Sequence, residues 1–469
     1  MYSITHFFTV DNNRYALDYQ NLFCCLLDDE TESALKHYLY DSNAPTVMGN
    51  KPSAVALDAM IKCGYFLTQH PVDTVPKFEY DTINISFAPV HDCNLACKYC
   101  YARGGKEALS YKTGFDKSKI DRLIDFIYLE KYSHYNNYKF DFVSGGEPLL
   151  HFDILEYFLH KTRTIDETYG KKTTILVVTN GTLLDTEKIN ILDNYGVFLG
   201  VSIDGSEKIH NSQRVYNDGR GTYDDIVRNL NILYSMEASS RIKEPWAMSV
   251  ITRNTQSLVD LMETCVGLGF KHMQMQLVRL PHSNNLSITG SHTETLKKHY
   301  KELFSHILSY AANGDYSRIK MIANHNDSFG KLLGRILLRT PVFYRCFAAK
   351  NKFAIDANGE LFPCDSFCSE KDFSFGSMYS EQSNEAVIDK FNNAHIFNRE
   401  KCLKCWARFI CGGDCFYHSY MISGNILDPN PVTCEMNRFF IENAVDILIK
   451  LQSIDAKAIN YLAKIYRIR

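Results

Sequence analysis

The sequence predicts an α/β fold organised around a parallel sheet or barrel. From residue 82, short apolar segments alternate with stretches of helical periodicity, and six of these segments precede residue 280. Strands that alternate with helices in this way form parallel sheets. The chain is 45% hydrophobic and 22% charged, so it can bury a substantial core. Parallel α/β folds place their chemistry beyond the carboxyl ends of the strands, and functional residues are expected there.

The individual elements follow from hydrophobic periodicity. Predicted strands cover residues 83–88, 139–143, 174–179, 198–203, 247–252 and 273–278. Predicted helices lie at 30–40, 53–63, 117–131, 152–167, 222–236, 255–268, 293–312 and 439–451. Pro71 and Pro76 mark a linker after a mixed N-terminal segment. After residue 340 the alternation gives way to cysteine, glycine and short loops.

Length and these changes in pattern define the expected domains. A chain of 469 residues should form roughly three domains of about 150 residues each. The expected parts are an N-terminal α+β domain at 1–75, the α/β region at 80–300, a helical bridge at 301–345, a cysteine-rich domain at 346–440 and a helical tail at 441–469.

Composition excludes several classes of protein. Basic and acidic residues nearly cancel, 51 against 54, and no long basic stripe is present, which excludes a strong nucleic-acid binder. No run of about 18 apolar residues could span a membrane. The N-terminus lacks a basic segment followed by an apolar one, so a cytoplasmic location is expected. Because disulfides do not persist there, metal binding is the first explanation for the 15 cysteines.

Three cysteines at the start of the α/β region form the most specific motif. Cys93, Cys97 and Cys100 follow the first predicted strand with Cx3Cx2C spacing. Three thiolates at this spacing can bind three irons of a [4Fe–4S] cluster and leave the fourth iron open. The alternative is structural zinc, which needs four ligands, and His91 is the nearby candidate for the fourth. The spacing favours the cluster.

A second group of cysteines occupies the last third of the chain. Its members are Cys346, Cys364, Cys368, Cys402, Cys405, Cys411, Cys415 and Cys434. Even without Cys368, the seven remaining thiols at these spacings exceed one tetrahedral zinc site, and two iron–sulfur cubanes fit better. The scattered Cys24, Cys25, Cys63 and Cys265 lie in apolar surroundings and are interpreted as small buried hydrophobic residues.

Glycine and polar residues follow the second and third predicted strands. Gly145, Gly146 and Glu147 come after the second strand. Glycines let the backbone approach a ligand closely and a glutamate can pair with an ammonium group, although an ordinary glycine-rich turn has the same composition. Thr179 and Asn180 end the third strand, again at the edge where ligands bind.

The fourth and sixth strands carry further candidates. Ser202 ends the fourth strand, with Asp204 and Arg214 shortly beyond it. An aspartate before glycine is also a common turn or cap residue. Gln274 and Gln276 alternate on the sixth strand, so both face one side, towards either a ligand or solvent.

In their order along residues 82–280, these elements resemble the radical S-adenosylmethionine (SAM) superfamily, including the aromatic Tyr99 between the last two cysteines of the motif. The resemblance implies a partial (β/α)6 TIM-like barrel. In this family the open iron chelates SAM, and an electron from the cluster cleaves SAM to methionine and a 5′-deoxyadenosyl radical. The implied SAM-binding residues are Gly145, Gly146, Glu147, Thr179, Asn180, Ser202, Arg214 and Gln276. Glu147 is expected at the amino group, and Ser202 and Arg214 at the ribose and carboxylate.

The second cysteine group resembles the SPASM domain that follows many peptide-modifying radical SAM enzymes. By this resemblance one auxiliary cluster would be held by Cys402, Cys405, Cys411 and Cys434, and the other by Cys346, Cys364 and Cys415. Some relatives carry an extra cysteine soon after the first, where this chain has Lys352 and its neighbours. Either Cys368 replaces that ligand, or an iron remains open to bind a substrate thiol.

Asp365, which directly follows Cys364, is the candidate catalytic residue. In anaerobic sulfatase-maturating enzymes an aspartate after this cysteine acts as a base. The alternative is a carboxylate beside a cluster that only accepts hydrogen bonds from the backbone.

As a whole, the chain resembles maturases of ribosomally made peptides (RiPPs), particularly thioether-forming sactipeptide and ranthipeptide synthases. The resemblance implies SAM and three [4Fe–4S] clusters, a precursor peptide with a leader, an external reductant such as flavodoxin or ferredoxin, and an anaerobic or oxygen-protected environment. Residues 1–75 suggest a leader-recognition domain that binds the leader as an added strand, or else an unrelated extension packed on the barrel.

Other functions stay open at this point. Carbon–carbon crosslinking of a peptide and oxidation of a sulfatase Cys or Ser to formylglycine would use the same radical. A non-enzymatic alternative is an iron–sulfur electron-transfer protein or a zinc-stabilised scaffold.

Overall fold

The computed structural model describes residues 2–40, 52–68, 71–87, 92–100, 114–143 and 145–468. His91, the alternative zinc ligand, lies outside these residues. The chain divides into two compact units. The first comprises Met1–Pro76, Thr293–Arg345 and His395–Arg469, and the second comprises Lys77–His292 and Cys346–Ala394.

The N-terminal segment of the first unit mixes strands and helices. Its strands are β1 (Tyr2–Ser3), β2 (Thr5–Val10), β3 (Asn13–Asp18), β4 (Phe23–Leu27) and β5 (Leu67–Thr68), and its helices are Asp29–Tyr40 and Pro52–Lys62. β2, β3 and β4 form an antiparallel sheet in sequence order, and β1 pairs antiparallel with β5. Ala16, Leu35 and Phe66 lie at the centre of the apolar core between these elements.

The second unit contains the parallel sheet. Its six strands are β6 (Thr82–Phe87), β7 (Asn137–Phe142), β8 (Lys172–Thr179), β9 (Phe198–Ser202), β10 (Trp246–Ile251) and β11 (His272–Leu277). The helices around them are Lys117–Ile124, Phe152–Tyr169, Thr186–Asn194, Glu207–Gln213, Tyr223–Ser235, Ser240–Lys243 and Leu258–Gly267. All six predicted strands are present, and each lies parallel to the one before it in the chain. The predicted α/β fold class is therefore confirmed.

The two faces of this sheet carry different side chains because successive residues of a strand point to opposite sides. Ile83 and Ile85 of β6 lie on one face and are fully buried. Asn84 and Ser86 lie on the other face, and the register places Asp141 of β7 beside Ser86. We call this second face the polar face, although the register also places Val178, Gly200 and Met248 on it together with Ser202, Gln274 and Gln276. The strand residues predicted to bind SAM at Ser202 and Gln276 thus share one face.

Three short strands extend the sheet beyond β6. β12 (Lys352–Ile355) pairs parallel with β6, and β13 (Glu360–Phe362) and β14 (Gly376–Ser377) continue it in antiparallel order. Helix Glu385–Asn392 follows. The strands hold four, three and two residues, too few for a periodic signal in the sequence. The division between the two units falls inside the predicted 346–440 domain because β12 joins the parallel sheet.

The rest of the first unit is helical. Its helices are Thr293–Ala312, Ser317–Ile322, Gly330–Leu337, Glu400–Leu403, Arg408–Cys411, Phe416–Ser423, Pro431–Ile454 and Ala456–Ile468. Pro431–Ile454 begins before the predicted start at residue 439 because Asn430 caps it, its Oδ1 accepting from the Val432 N–H at 2.9 Å.

Helix Pro431–Ile454 packs against the N-terminal sheet. The hydroxyl of Tyr15 on β3 donates a hydrogen bond of 2.6 Å to Asp446 Oδ1. On β2, His6 Nε2 lies 3.0 Å from Glu442 Oε1, and the His6 ring stacks on Trp406 with centroids 3.7 Å apart. The N-terminal sheet is therefore bound into the helical part of the first unit.

The four scattered cysteines differ in exposure. Cys265 is fully buried, as interpreted from the sequence, and Cys24 and Cys25 are partly buried on β4. Cys63 is exposed, so its interpretation as a buried residue is wrong. It follows the last residue of helix Pro52–Lys62, where the chain turns at the surface.

Candidate radical SAM and auxiliary cluster sites

The loop with the three motif cysteines lies against the segment that follows helix Glu207–Gln213. The Ala96 N–H donates to Val215 O at 2.8 Å, and the Lys98 N–H donates to Gln213 O at 2.9 Å. Cys93, Cys97 and Cys100 are all partly exposed. Backbone pairing therefore fixes the loop on both sides of Cys97 while its thiols remain accessible.

Glu147 is buried at the end of β7 and holds neighbouring strand ends together. Its Oε1 accepts from the Thr179 hydroxyl at 2.6 Å and from the Leu149 N–H at 3.1 Å, and its Oε2 accepts from the Asn180 N–H at 2.7 Å. Burial raises the pKa of Glu147 to about 7, and these hydrogen bonds oppose the shift. Gly145 and Gly146 form the turn just before it, Gly145 at φ +86°. Glu147 thus links β7 to the end of β8.

Asn180 connects this turn to the cysteine loop. Its Nδ2 donates to Asn94 Oδ1 at 2.9 Å and lies 4.0 Å from Cys93 Sγ. Asn94 in turn donates to the Thr182 hydroxyl at 2.9 Å. The predicted SAM residues Thr179 and Asn180 are thereby brought to the cysteine loop. Sequence reasoning missed Asn94, which carried no spacing signal of its own.

Arg214 lies beside the second cysteine of the motif. Its Nη1 is 4.0 Å from Cys97 Sγ and its Nε donates to Asp204 Oδ2 at 3.0 Å. Asp204 also accepts from the Tyr99 hydroxyl. Although burial opposes the charge, Asp204 raises the pKa of Arg214, so the guanidinium is cationic. Asp204, interpreted from the sequence as either a site or a turn residue, is part of this network.

Ser202 and Gln276 lie further along the polar face of the sheet. Ser202 is the last residue of β9 and is paired in register with Met248 of β10. Gln276 is paired with Val250, is half-buried, and accepts from Arg279 Nη2 at 3.4 Å. Both residues therefore lie at the carboxyl ends of their strands, as predicted for ligand-binding positions.

In the first unit, four of the late cysteines are brought together. The thiols of Cys411 and Cys405 interact electrostatically with the Cys402 thiol. Those of Cys411 and Cys402 interact in the same way with the Cys434 thiol. Burial raises the pKa of both Cys402 and Cys434 to about 12, and the neighbouring thiols add to the shift. Buried thiols that raise one another's pKa are difficult to ionise together without a cation. A cationic iron centre offsets this repulsion and binds the thiols as thiolates.

Buried polar groups support this four-cysteine site. Arg399 is fully buried and donates to the carbonyl oxygens of Asp414 and Ile426 at 3.1 and 3.0 Å. Asn437 Nδ2 donates to Cys411 Sγ at 3.2 Å. Hydrogen bonds to cluster sulfurs are a recognised means of setting reduction potential.

The other auxiliary residues are distributed over both units. Cys346, Cys364, Cys368 and Asp365 lie in the second unit, whereas Cys415 lies in the first. Cys368 is buried, and its Sγ donates to the Cys364 carbonyl oxygen at 3.9 Å. Its own backbone N–H donates to the Asp365 carbonyl oxygen at 3.2 Å.

Lys352 faces the cysteines of the second unit. It opens β12, six residues after Cys346. Although burial alone would lower it, the charges of Asp365, Asp141, Cys346 and Cys364 raise the pKa of Lys352. Lys352 therefore interacts electrostatically with two carboxylates and two thiols of the second unit.

The donor sets fit the ligand chemistry of iron–sulfur clusters. Among the described residues, no three His, Cys, Asp or Glu side chains converge as the ligands of one ion would. Three thiols on a loop and four enclosed thiols match the ligand chemistry of [4Fe–4S] clusters. No helix among the described residues is long and apolar enough to cross a membrane.

Comparison with known protein families agrees with both sites. Residues 88–239 match the radical SAM superfamily, and residues 346–406 match the SPASM iron–sulfur cluster-binding domain. The chain therefore carries a radical SAM domain followed by a SPASM domain, both of which occur in radical SAM enzymes.

Similar proteins of named function include a bacteriocin biosynthesis protein and a sulfatase-maturating enzyme. The subtilosin biosynthesis protein AlbA of Bacillus subtilis (strain 168) is 23% identical over 405 residues, 83% of this chain and 78% of AlbA. A cysteine-type anaerobic sulfatase-maturating enzyme of Clostridium novyi (strain NT) is 23% identical over 371 residues, 76% of this chain and 93% of that enzyme.

The fold is also that of a solved structure of anSMEcpe with bound AdoMet and the Cp18Cys peptide. The TM-score is 0.61 at 21% identity, with 80% of this chain and 100% of that chain covered. At this identity the likeness establishes the fold alone.

Proposed function

We propose that this enzyme is a radical SAM maturase that forms a thioether crosslink in a ribosomally made precursor peptide. The observation that carries the proposal is the N-terminal sheet, which is bound to the helix that bears Cys434. Radical chemistry does not need such a sheet, whereas recognition of a peptide leader does. The similarity to AlbA, a bacteriocin biosynthesis protein, supports the same class.

The proposed cofactors are SAM and three [4Fe–4S] clusters. Cys93, Cys97 and Cys100 would hold the SAM-binding cluster. The auxiliary clusters would be held by Cys402, Cys405, Cys411 and Cys434, and by Cys346, Cys364 and Cys415. When bound, the first cluster and SAM supply the 5′-deoxyadenosyl radical that removes a hydrogen atom from a peptide carbon.

The polar residues at the strand ends would bind and orient SAM. The Arg214 guanidinium would hold the carboxylate, while Glu147 fixes the ends of β7 and β8 and would present its carboxyl group to the amino group. Flavodoxin or ferredoxin is the proposed external reductant.

Lys352 supports capture of a peptide cysteine near Cys346 and Cys364. A cation beside these thiols favours the deprotonated form of an incoming sulfur. In this proposal Cys368 is not a cluster ligand and stays a buried thiol that is hydrogen-bonded to the Cys364 carbonyl oxygen. Asp365 serves as the anionic partner of Lys352. If Asp365 instead acts as a base, formylglycine formation is the better assignment.

An apolar groove in the first unit is the proposed leader-binding site. It has a volume of about 390 Å³ and lies beside β4, an outer strand of the three-stranded sheet. Leu26 of β4 and Ile454 of the long helix line it, and they are 50% and 41% exposed. An extended leader could add to β4 and place its apolar side chains in this groove.

The test is anaerobic reaction of the reconstituted full chain with SAM, dithionite and a Cys-containing precursor peptide, to be sought among the reading frames beside its gene. A thioether product has lost two hydrogens, and one cysteine resists alkylation. If every cysteine remains alkylatable in the product, carbon–carbon crosslinking replaces the proposal, and an aldehyde-reactive product assigns formylglycine formation. If no deoxyadenosine forms, the remaining assignment is an iron–sulfur electron-transfer protein.

Leader binding has its own test. Leu26→Asp should weaken binding of a fluorescent leader peptide without changing peptide-independent deoxyadenosine formation. Leu129→Asp is the matched control, because Leu129 is similarly exposed, at 44%, and lies in the second unit. Equal leader affinity in wild type and Leu26→Asp would exclude the groove.

A further inference from the structure

Asp204 is placed to organise the SAM site although it has no direct bond to a cysteine. It follows the carboxyl end of β9 and is 5% exposed. Its Oδ2 accepts from both the Tyr99 hydroxyl and Arg214 Nε, and its Oδ1 accepts from the Val250 N–H at 3.0 Å. One carboxylate therefore joins the cysteine loop, the segment after helix Glu207–Gln213 and strand β10.

The guanidinium of Arg214 is fixed on two sides. Asp204 holds Nε at 3.0 Å, and the guanidinium carbon lies 5.2 Å from the centroid of the Tyr99 ring. This geometry brings Nη1 to 4.0 Å from Cys97 Sγ. Nη2 makes no hydrogen bond with any described residue, so it remains available to a ligand carboxylate.

The backbone around Asp204 is fixed as well. The Asp204 N–H donates to His210 Nδ1 at 3.2 Å, and the opposite ring nitrogen lies 2.9 Å from the Thr222 hydroxyl. That hydroxyl donates to the Arg214 carbonyl oxygen at 3.2 Å. Asp204 and Arg214 are thus tied together through both side chain and backbone.

We propose that Asp204 is the positioning residue of the SAM site, which holds the Arg214 guanidinium between the Cys97 thiolate and the SAM carboxylate. A buried ion pair that loses one partner leaves an uncompensated charge. Without Asp204, Arg214 would turn towards other acceptors, and the SAM carboxylate would meet a guanidinium that is no longer pre-organised. The inference concerns SAM binding and is independent of which peptide is modified.

The test measures SAM binding to the anaerobically reconstituted, oxidised full chain, in which SAM is not cleaved. Asp204→Asn should weaken binding by on the order of tenfold or more, with iron and sulfide content and melting temperature near wild type. Asp218→Asn is the matched control, because Asp218 makes the same type of contact to Arg220 Nε, 2.8 Å long but at the exposed surface. It should bind SAM as wild type does.

A double-mutant cycle separates positioning from general damage. Arg214→Lys should lose as much SAM affinity as Asp204→Asn. The double variant should lose little more, because each single change already disrupts the same Asp204–Arg214 pair. Additive losses, or SAM binding by Asp204→Asn within twofold of wild type, would overturn the proposal. Should Asp204→Asn fail to assemble clusters, Tyr99→Phe replaces it. That variant keeps the ion pair and should bind SAM measurably more weakly, and unchanged binding would again overturn the proposal.

Discussion

Asn437 donates a hydrogen bond of 3.2 Å from its side-chain amide to the sulfur of Cys411. Asn437 lies one helical turn beyond Cys434 on helix Pro431–Ile454, so the same helix would supply one ligand of the auxiliary cluster and a donor to another. Both Asn437 and Cys411 are buried. A hydrogen bond to a cluster sulfur in such an enclosed site stabilises the reduced, more negative state.

Asn437→Ala should therefore lower the reduction potential of this cluster by on the order of tens of millivolts. The measurement is an EPR-monitored redox titration of a chain in which Cys93, Cys97 and Cys100 are replaced by alanine. Asn443→Ala is the control, since Asn443 is buried on the same helix but donates to the Phe439 carbonyl oxygen. Equal potentials in the two variants would contradict the assignment.

Gly412 should be essential for folding of the four-cysteine site. It has φ +72°, and a Cβ there would lie 2.4 Å from the Tyr344 carbonyl oxygen. Gly412→Ala should destabilise the protein by more than about 4 kcal/mol and reduce its iron content. Gly424→Ala, at φ +74° with nothing within 4 Å of its Cβ, should cost only about 1 kcal/mol. Melting temperature and iron analysis distinguish the two.

Lys352→Cys should close the auxiliary site beside Cys346 and Cys364 with a protein thiolate. We expect crosslinking to stop while peptide-independent deoxyadenosine formation continues, because the radical SAM cluster is untouched. Lys139→Cys is the control, since Lys139 lies on the same face of the sheet, paired in register with Asn84 just as Lys352 is. Normal crosslinking by Lys352→Cys would show that no open iron is needed there.

His210 should make the fold sensitive to mild acid. Burial lowers the pKa of His210 to about 4, and its Nδ1 accepts from the Asp204 N–H, which requires the neutral ring. The unfolded chain binds the proton near pH 6.5, so between about pH 6.5 and 4 it holds more protons than the folded chain. Stability should therefore fall as pH falls through this window, by up to about 3 kcal/mol.

Melting temperatures between pH 4.5 and 7.5 test this expectation. His210→Gln should flatten the acid side of the profile, whereas His282→Gln, a change at an exposed position, should leave it as in wild type. A steep acid loss that persists in His210→Gln would assign the sensitivity to other groups.

The sequence predicted the parts of the fold that depend on local pattern. Six strands and the Cx3Cx2C loop were predicted because apolar alternation and cysteine spacing are visible within a few residues. Asp204 remained ambiguous, since its partners Tyr99 and Val250 are distant in sequence. β12 was missed for the same kind of reason: a four-residue strand is defined by its pairing with β6, not by its own periodicity.

The exposure of Cys63 shows the limit of reading burial from composition. Met60, Ile61, Tyr65 and Phe66 are apolar and lie nearby in the sequence, but the helix before Cys63 ends at Lys62 and the cysteine is exposed. Likewise, the contact of His6 with Trp406 joins residues 400 positions apart and has no signal in either segment alone.

The hydrogen bond from Tyr15 to Asp446 ties the first strands to the helix that bears Cys434, and the stacked pair ties them to the segment beside Cys405. The N-terminal segment consequently depends on contacts with the rest of the first unit and cannot be exchanged on its own. Grafting it onto another maturase would require the recipient to supply the matching helix, and deleting it would bare Trp406 next to Cys405. Chimeric enzymes made to test the proposed leader recognition should therefore exchange the sheet and the long helix as one piece.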